Sequence, residues 1–395
     1  MPPPLAPDGA WRRGQPRLGG GGPGGTSGFS GPGQDLDTGF DAEDACRQPL
    51  RPGSGPVTAP PAGGTPSRAT ATTGAPHTLA PVAGPGTALP EVTVLLGQMN
   101  GARFLEAQLA SIAAQTRCPV RLIVSDDGSA DHGPMLVRAF AARHPEVAVT
   151  VLDGPGRGFA QNILHLIRAA SPEAAYVALC DQDDYWLPGR LARAVRLLEA
   201  VPEGVPALYG GRTMVCEADL TPRRPSPLHA RPPSFRNALV QSIAGGNTMV
   251  LNRAAVELAR AASHEARTIV SHDWWLYQIV SGVGGQVIYD PRPTVLYRQH
   301  DANLVGANNS IRGSAIRLAA LMAGRFSRWN RINIAALRAS AHRFTPENRA
   351  RLEAFAALRE APLPARMRLL VRAGLYRQTW RGDLALWLAT LLRRV

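Results

Sequence analysis

Lysine is missing altogether: the 43 basic residues are all arginine, set against 30 acidic ones for a formal charge of +13. Together with the abundance of Ala, Gly and Pro, this points to a GC-rich coding sequence, so part of the basicity is compositional. No aromatic-interleaved basic motif accompanies the arginines, which argues against a nucleic-acid partner. Cysteine is scarce. Cys46, Cys118, Cys180 and Cys216 form no CxxC pair and no Cys/His metal spacing, which fits reduced thiols and not a disulfide framework. Long apolar runs are absent too. The longest, such as Leu384–Leu392, falls well short of the roughly 20 residues a membrane-spanning helix needs. No apolar stretch follows a charged start, so no signal peptide is expected. These readings give a cytoplasmic location as the expectation, with room for a peripheral place at the inner face of the plasma membrane.

What is present is unevenly spread. Residues 1–90 hold 19 Gly and 17 Pro with almost no periodic apolar pattern. Such a segment cannot bury enough surface to offset its chain entropy. The expected organisation is a disordered extension over 1–88, a folded domain over 89–308 and an Arg-rich helical region over 309–395.

Beyond Pro90, apolar runs and helical faces alternate. Strands are expected at Glu91–Leu96, Val120–Val124, Val147–Leu152 and Tyr176–Leu179. Helices are expected at Phe104–Gln115, Met135–Arg143, Gly158–Ala170 and Leu191–Ala200. This alternation predicts an α/β fold with a mainly parallel sheet between helices. Ligands on such sheets bind outside the carboxyl ends of the strands. The pattern then becomes mixed, with strands at Leu208–Val215, Thr248–Leu251, Gln286–Tyr289 and Thr294–Arg298. Helices at Asn237–Ile243, Arg253–Ala262 and His272–Val280 lie between them, and from Ser310 onward the chain reads as helical.

Two expected strand ends are acidic. Asp126-Asp127-Gly128-Ser129 follows the second strand, where a carboxylate can accept from ribose hydroxyls or a base N–H. The same tetrad can simply start a helix, with Ser129 or Asp131 as cap. Cys180-Asp181-Gln182-Asp183-Asp184-Tyr185-Trp186 follows the fourth. Three carboxylates in four residues repel one another unless a cation joins them. Hard oxygen ligands in a D-x-D spacing suit Mg²⁺ or Mn²⁺, with a substrate diphosphate completing the shell. The plainer alternative is a solvated acidic turn. The two sites lie 55 residues apart in sequence and can converge on one ligand.

From Val92 to about Ala307 the chain resembles the inverting family 2 glycosyltransferases of the GT-A fold, closest to the bacterial rhamnosyltransferase-like and O-antigen branch. The resemblance is carried by Asn100-Gly101-Ala102-Arg103-Phe104-Leu105, Gln115-Thr116, Ser125 to Ser129, Cys180 to Trp186, Gly245-Gly246-Asn247-Thr248-Met249-Val250, His272-Asp273-Trp274-Trp275 and Tyr297-Arg298-Gln299-His300, in that order. It implies transfer of a sugar from a UDP- or dTDP-sugar donor to a saccharide or lipid-linked saccharide acceptor, in cell-surface polysaccharide or O-antigen synthesis. It implies that Asn100, Asp126, Asp127, Asp181 and Arg298 bind the donor. A divalent metal would sit on Asp181, Asp183 and His300. Gly245, Gly246, Asn247, Trp274, Trp275 and Trp186 would shape the acceptor and sugar pocket, and Asp273 would be the catalytic base. One position departs from the pattern: Met99 stands where an aromatic usually precedes the asparagine, which puts base selectivity in doubt.

Other readings of the residues remain. A Mg²⁺-dependent nucleotidyltransferase also uses carboxylates, but Leu96-Gly97-Gln98-Met99-Asn100-Gly101 makes a poor phosphate loop. An inactive module binding nucleotide-sugars or glycans would not need the whole acidic set. Asp273 can serve as a helix N-terminal charge and His300 as a packing residue. The Arg-rich C-terminal helices fit either packing on the catalytic domain or contact with an anionic membrane surface.

Overall fold

The computed structural model describes residues 89–300 and 324–395. The Gly/Pro-rich extension and the expected boundary at 308/309 lie outside those residues. The first half alternates β1 (Val92–Gln98), α1 (Ala102–Ala113), β2 (Val120–Asp126), α2 (Gly133–Arg143), β3 (Ala148–Asp153), α3 (Phe159–Ala169) and β4 (Tyr176–Cys180). Then come β5 (Tyr185–Trp186), α4 (Arg190–Glu199), β6 (Ala207–Cys216), β7 (Pro222–Pro225), α5 (Phe235–Ala238), β8 (Val250–Asn252), α6 (Arg253–Glu265), α7 (His272–Gly282) and β9 (Gln286–Arg298). The described C-terminal region is helical: α8 (Arg325–Ala339), α9 (Pro346–Leu358), α10 (Leu363–Ala373) and α11 (Trp380–Leu391).

One mixed sheet runs β3-β2-β1-β4-β8-β6-β9-β5, with β7 on β6. The block β3-β2-β1-β4 is parallel, as the alternation of strands and helices predicts, and β6 and β9 are parallel as well. The short β8 runs antiparallel between β4 and β6. Alternate residues of the central strands enter two cores. Leu95, Ile123, Val177 and Leu179 face α3, α6, α7 and the C-terminal helices. Val94, Leu96, Leu122, Val124 and Ala178 face α1, α2 and α4. Side chains alternate across a strand, so near-continuous apolar runs are what a sheet covered on both faces requires. Phe326, Leu337, Phe355, Leu370 and Leu386 join the first core, so the C-terminal helices pack on the body that carries the sheet.

Two expected elements change. The stretch Asn237–Ile243 is not one helix: α5 spans Phe235–Ala238 and stops. The indole of Trp274 and the amide of Gln278 both donate to the Ala238 carbonyl, at 2.6 and 3.1 Å, taking an acceptor that a longer helix would use. The expected strands Gln286–Tyr289 and Thr294–Arg298 are one strand, β9, paired along β6 with a bulge opposite Gly211 to Thr213. Pro291 and Pro293 cannot donate to the ladder there. The bulge turns Asp290 inward. Its carboxylate accepts from Arg193 Nε and Nη2 at 2.5 and 2.9 Å and from the Tyr209 hydroxyl at 2.8 Å. Burial pushes this carboxyl up, but the bonds from Arg193, Arg292 and Tyr209 together hold it below its ordinary value.

Removing one partner of a buried pair strands the other. Asp290→Ala is expected to cost about 2–4 kcal/mol, toward the low side of the range for fully buried pairs because the Arg193 side chain is 37% exposed. Chemical denaturation measures it, and a loss below about 0.5 kcal/mol would contradict this account of the bulge.

Candidate active site

The parallel register aligns the strand ends. Gln98 pairs with Asp126, and Asp126 with Asp153, so β1, β2 and β3 end level, with β4 ending beside them at Cys180. The acidic tetrad lies on this edge. Asp126 accepts from the Ser129 hydroxyl at 2.5 Å and the Ser129 amide at 3.2 Å. The hydroxyl also accepts from the Asn100 amide, and Asn100 Oδ1 accepts from the Ala130 amide. Asn100 sits at φ 50°, a conformation in which asparagine is enriched. Asp127 is buried, and its two oxygens accept from the Gly156 and Gly158 amides at 2.7 and 2.8 Å. Its carboxylate thereby pins the Gly154-to-Gly158 loop after β3.

The second acidic loop divides its side chains between two tasks. Gln182 turns toward β1 and clasps the Met99 backbone, accepting from its amide at 2.8 Å and donating to its carbonyl at 3.0 Å. Asp184 is fully buried; it accepts from Asn247 Nδ2 at 2.5 Å and from the Arg298 amide at 3.3 Å. Burial, then the charges of Asp183 and Asp181, push its carboxyl well above the usual range and favour the neutral form. Asp181 and Asp183 remain half-buried at the edge. Asp183 Oδ2 lies 3.0 Å from His300 Nε2, and the His300 ring packs on Phe104 with centroids 4.6 Å apart. Burial and the charges of Asp183 and Asp273 raise the Asp181 carboxyl to about 7.

That interaction brings Asp273 into the same site. Asp273 stands in the first turn of α7, whose other ten residues are all buried. A helix apolar on every side belongs inside a core, and α7 reaches the strand ends only through this carboxylate. The nearest hydroxyl, Ser242 Oγ, is 3.5 Å from Oδ2, too long for a strong bond. The preceding residue, His272, is buried against Phe159, and neither ring nitrogen finds a partner among the described residues. Burial holds its imidazole below its ordinary pKa. A Cβ on Gly246 would fall 1.9 Å from His272 Nε2, so the Gly245-Gly246-Asn247 loop can approach α7 only as glycine.

Several expected pocket residues are elsewhere. Trp275 and Trp186 are fully buried and Trp274 is 2% exposed, so none presents a ring face to a sugar. The all-round burial of α7 takes Trp274 and Trp275 into the core. Trp186 belongs to β5, where the Arg190 guanidinium covers it at 3.7 Å. Asn247 is likewise a brace between Asp184 and Arg190, not a wall of the pocket. Arg298 is 4% exposed; it donates to the carbonyls of Asp183 and Ala218 and lies over Phe104, so it supports the acidic loop from beneath. Asp184 was expected only as one of three loop carboxylates, and Gln182 and His272 only as members of their motifs, with no role of their own. The first two follow from alternation within the loop, since every second side chain points away from the first.

No group of three or more His, Cys, Asp or Glu side chains among the described residues is arranged to hold a metal ion. The loop offers a pair, Asp183 with His300, and beside it Asp181, whose carboxyl is raised by burial and then by the charges of Asp183 and Asp273. Such a pair suits a hard cation that keeps several waters and takes phosphate oxygens as further ligands.

Residues 97–255 match the model of glycosyl transferase family 2. An uncharacterized protein of Mycobacterium tuberculosis (strain ATCC 25618 / H37Rv) is 28% identical over 203 residues, covering 51% of this chain and 56% of the relative. The chain thus spans little more than half of that relative's length. The dTDP-rhamnosyl transferase RfbG of Shigella flexneri is 26% identical over 230 residues, covering 55% of this chain and 76% of that protein. Among solved structures, the mannosyltransferase PcManGT of Pyrobaculum calidifontis superposes with a TM-score of 0.40 at 20% identity, covering 79% of this chain and 90% of that one. The segment that builds the acidic strand edge, residues 97–255, is the part of the chain that carries the glycosyl transferase family 2 domain.

Proposed function

We propose that the chain transfers a sugar from a nucleotide-diphosphate donor to a hydroxyl of a saccharide or lipid-linked saccharide, with inversion, in the assembly of a cell-surface polysaccharide or O-antigen. The carrying observation is Asp273, the one residue of α7 that is not buried, within electrostatic reach of Asp181. The likeness to a protein named dTDP-rhamnosyl transferase supports a dTDP-sugar donor, with UDP-sugars as the second choice.

In this reading Asn100, Asp126 and the loop pinned by Asp127 receive the nucleoside. Asp181, Asp183 and His300 face the diphosphate and would hold Mg²⁺ or Mn²⁺; that ion, when bound, supplies positive charge to the leaving group. Asp273 takes the proton of the acceptor hydroxyl as that oxygen attacks the anomeric carbon. The weak Ser242 contact leaves its lone pairs available. Attack from the face opposite the diphosphate inverts the anomeric centre.

Asp273→Asn is expected to lower turnover about 10²–10⁴-fold, the usual contribution of a general base, while donor affinity stays within a few-fold. Turnover within a few-fold of wild type would remove Asp273 as base. Gly246→Ala forces the His272 imidazole aside; a stability loss of about 1–3 kcal/mol is expected, with turnover reduced and donor affinity retained. An unchanged melting curve and turnover would show that the loop has room. The Asp181 shift has a sign that can be checked. Its carboxyl is raised in the folded state to about 7, so in metal-free buffer it contributes stability at low pH that is lost as pH rises toward 7. Asp181→Asn is expected to flatten that part of the stability–pH curve, and an unaltered slope would contradict the crowding of charge.

A further inference from the structure

We propose that the outer face of α10 and α11 is a docking surface for an anionic lipid bilayer. On α11, Trp380, Leu384, Trp387, Leu388 and Leu391 are all exposed, Trp380 at 70% and Leu384 at 62%. They recur at i, i+4, i+7, i+8 and i+11, one continuous helical stripe. The opposite side of the helix is anchored: Leu386 and Ala389 lie in the core. The stripe is therefore an outer face of a packed helix. Exposed Leu363 and Val371 extend it onto α10. Among the described residues no helix is long and apolar enough to cross a membrane, so this surface would lie on a bilayer and not pass through it.

Charge selects the partner. Arg368, Arg372, Arg381 and Arg393 are exposed on and beside these helices, and the Arg381 guanidinium lies over the Trp380 ring. The one carboxylate of residues 361–395, Asp383, is engaged by Arg231 at 2.6 Å and by the Arg377 amide. A second copy docked face to face would oppose its arginines to the same arginines, whereas an anionic headgroup layer complements them. Indole rings are favoured where one side is apolar and the other wet, as at the bilayer interface. Beside the stripe opens a cavity of about 670 Å³ that shares Val371 and Trp387 with it and is flanked by Arg231 and Arg236. Asp383 also lines it, paired with Arg231, so Arg236 supplies the net positive charge next to an apolar wall, the chemistry that a phosphate headgroup and the start of its acyl chain require.

The proposal does not depend on the transferase reading, and its test uses no donor. The full chain is sedimented with phosphatidylcholine vesicles carrying about a third phosphatidylglycerol and with phosphatidylcholine vesicles alone. Binding to the anionic vesicles, weakened by salt, is expected, with little binding to the neutral ones. Arg368→Gln with Arg372→Gln is expected to lower the partition coefficient about thirtyfold. Trp380→Ser with Leu384→Ser is expected to abolish binding without lowering Tm, because both side chains are exposed. Three results overturn the proposal: no binding to anionic vesicles, equal binding by wild type and the Trp380/Leu384 variant, or a stable dimer in light scattering that this variant dissolves. The last would assign the face to a second copy.

Discussion

Carboxylates gathered on one edge of a sheet must be neutralised, bonded or left short of charge, and the local structure follows from how each is treated. Asp127 is bonded to two glycine amides and so fixes the loop after β3. Asp184 is buried and held by Asn247, which ties the β4 loop to the glycine loop before β8. Asp183 meets His300, and the Arg298 guanidinium braces its backbone. Asp181 has no such relief among the described residues, and burial, with the charges of Asp183 and Asp273, raises its carboxyl to about 7. A divalent cation would answer this crowding and leave ligand positions for a diphosphate.

The placement of Asp273 depends on packing, not on the acidic loops. Helix α7 is enclosed by α3, α5, α6 and the C-terminal helices through one shared core. Its first turn is therefore rigidly placed, and its only unburied side chain is delivered to the strand edge. A carboxylate mounted on a buried helix keeps its position better than one on a loop. Gly246 completes the arrangement by letting a second loop lie against His272.

Much of this was legible in the sequence. The strand–helix alternation gave the parallel block, and the acidic strand ends marked the edge at which the carboxylates gather. Asp181, Asp183, His300 and Asp273, separated by up to 119 positions, do come together. The tryptophans were misread because a WW pair beside a carboxylate has the same spelling whether it lines a pocket or fills a core; only the burial of the whole of α7 decides. Arg298 was misread for a related reason, since an arginine near an acidic motif can face a ligand or hold a backbone carbonyl. The bracing bonds of Gln182 and Asp184 were not legible because their partners, Met99 and Asn247, lie 83 and 63 residues away. The stripe on α11 was visible as apolar spacing, but which side faced outward needed the packed helix.

The central claim is that this edge binds a nucleotide-diphosphate sugar through a divalent cation. Thermal unfolding of the full chain with dTDP- and UDP-sugars, with Mn²⁺ and with chelator, tests it directly, because a ligand of the native state must raise its stability. The account predicts a rise in Tm of several degrees with at least one of these donors and metal, lost in chelator and in Asp183→Ala. The same rise in chelator, or none with any such donor in the presence of metal, would contradict it.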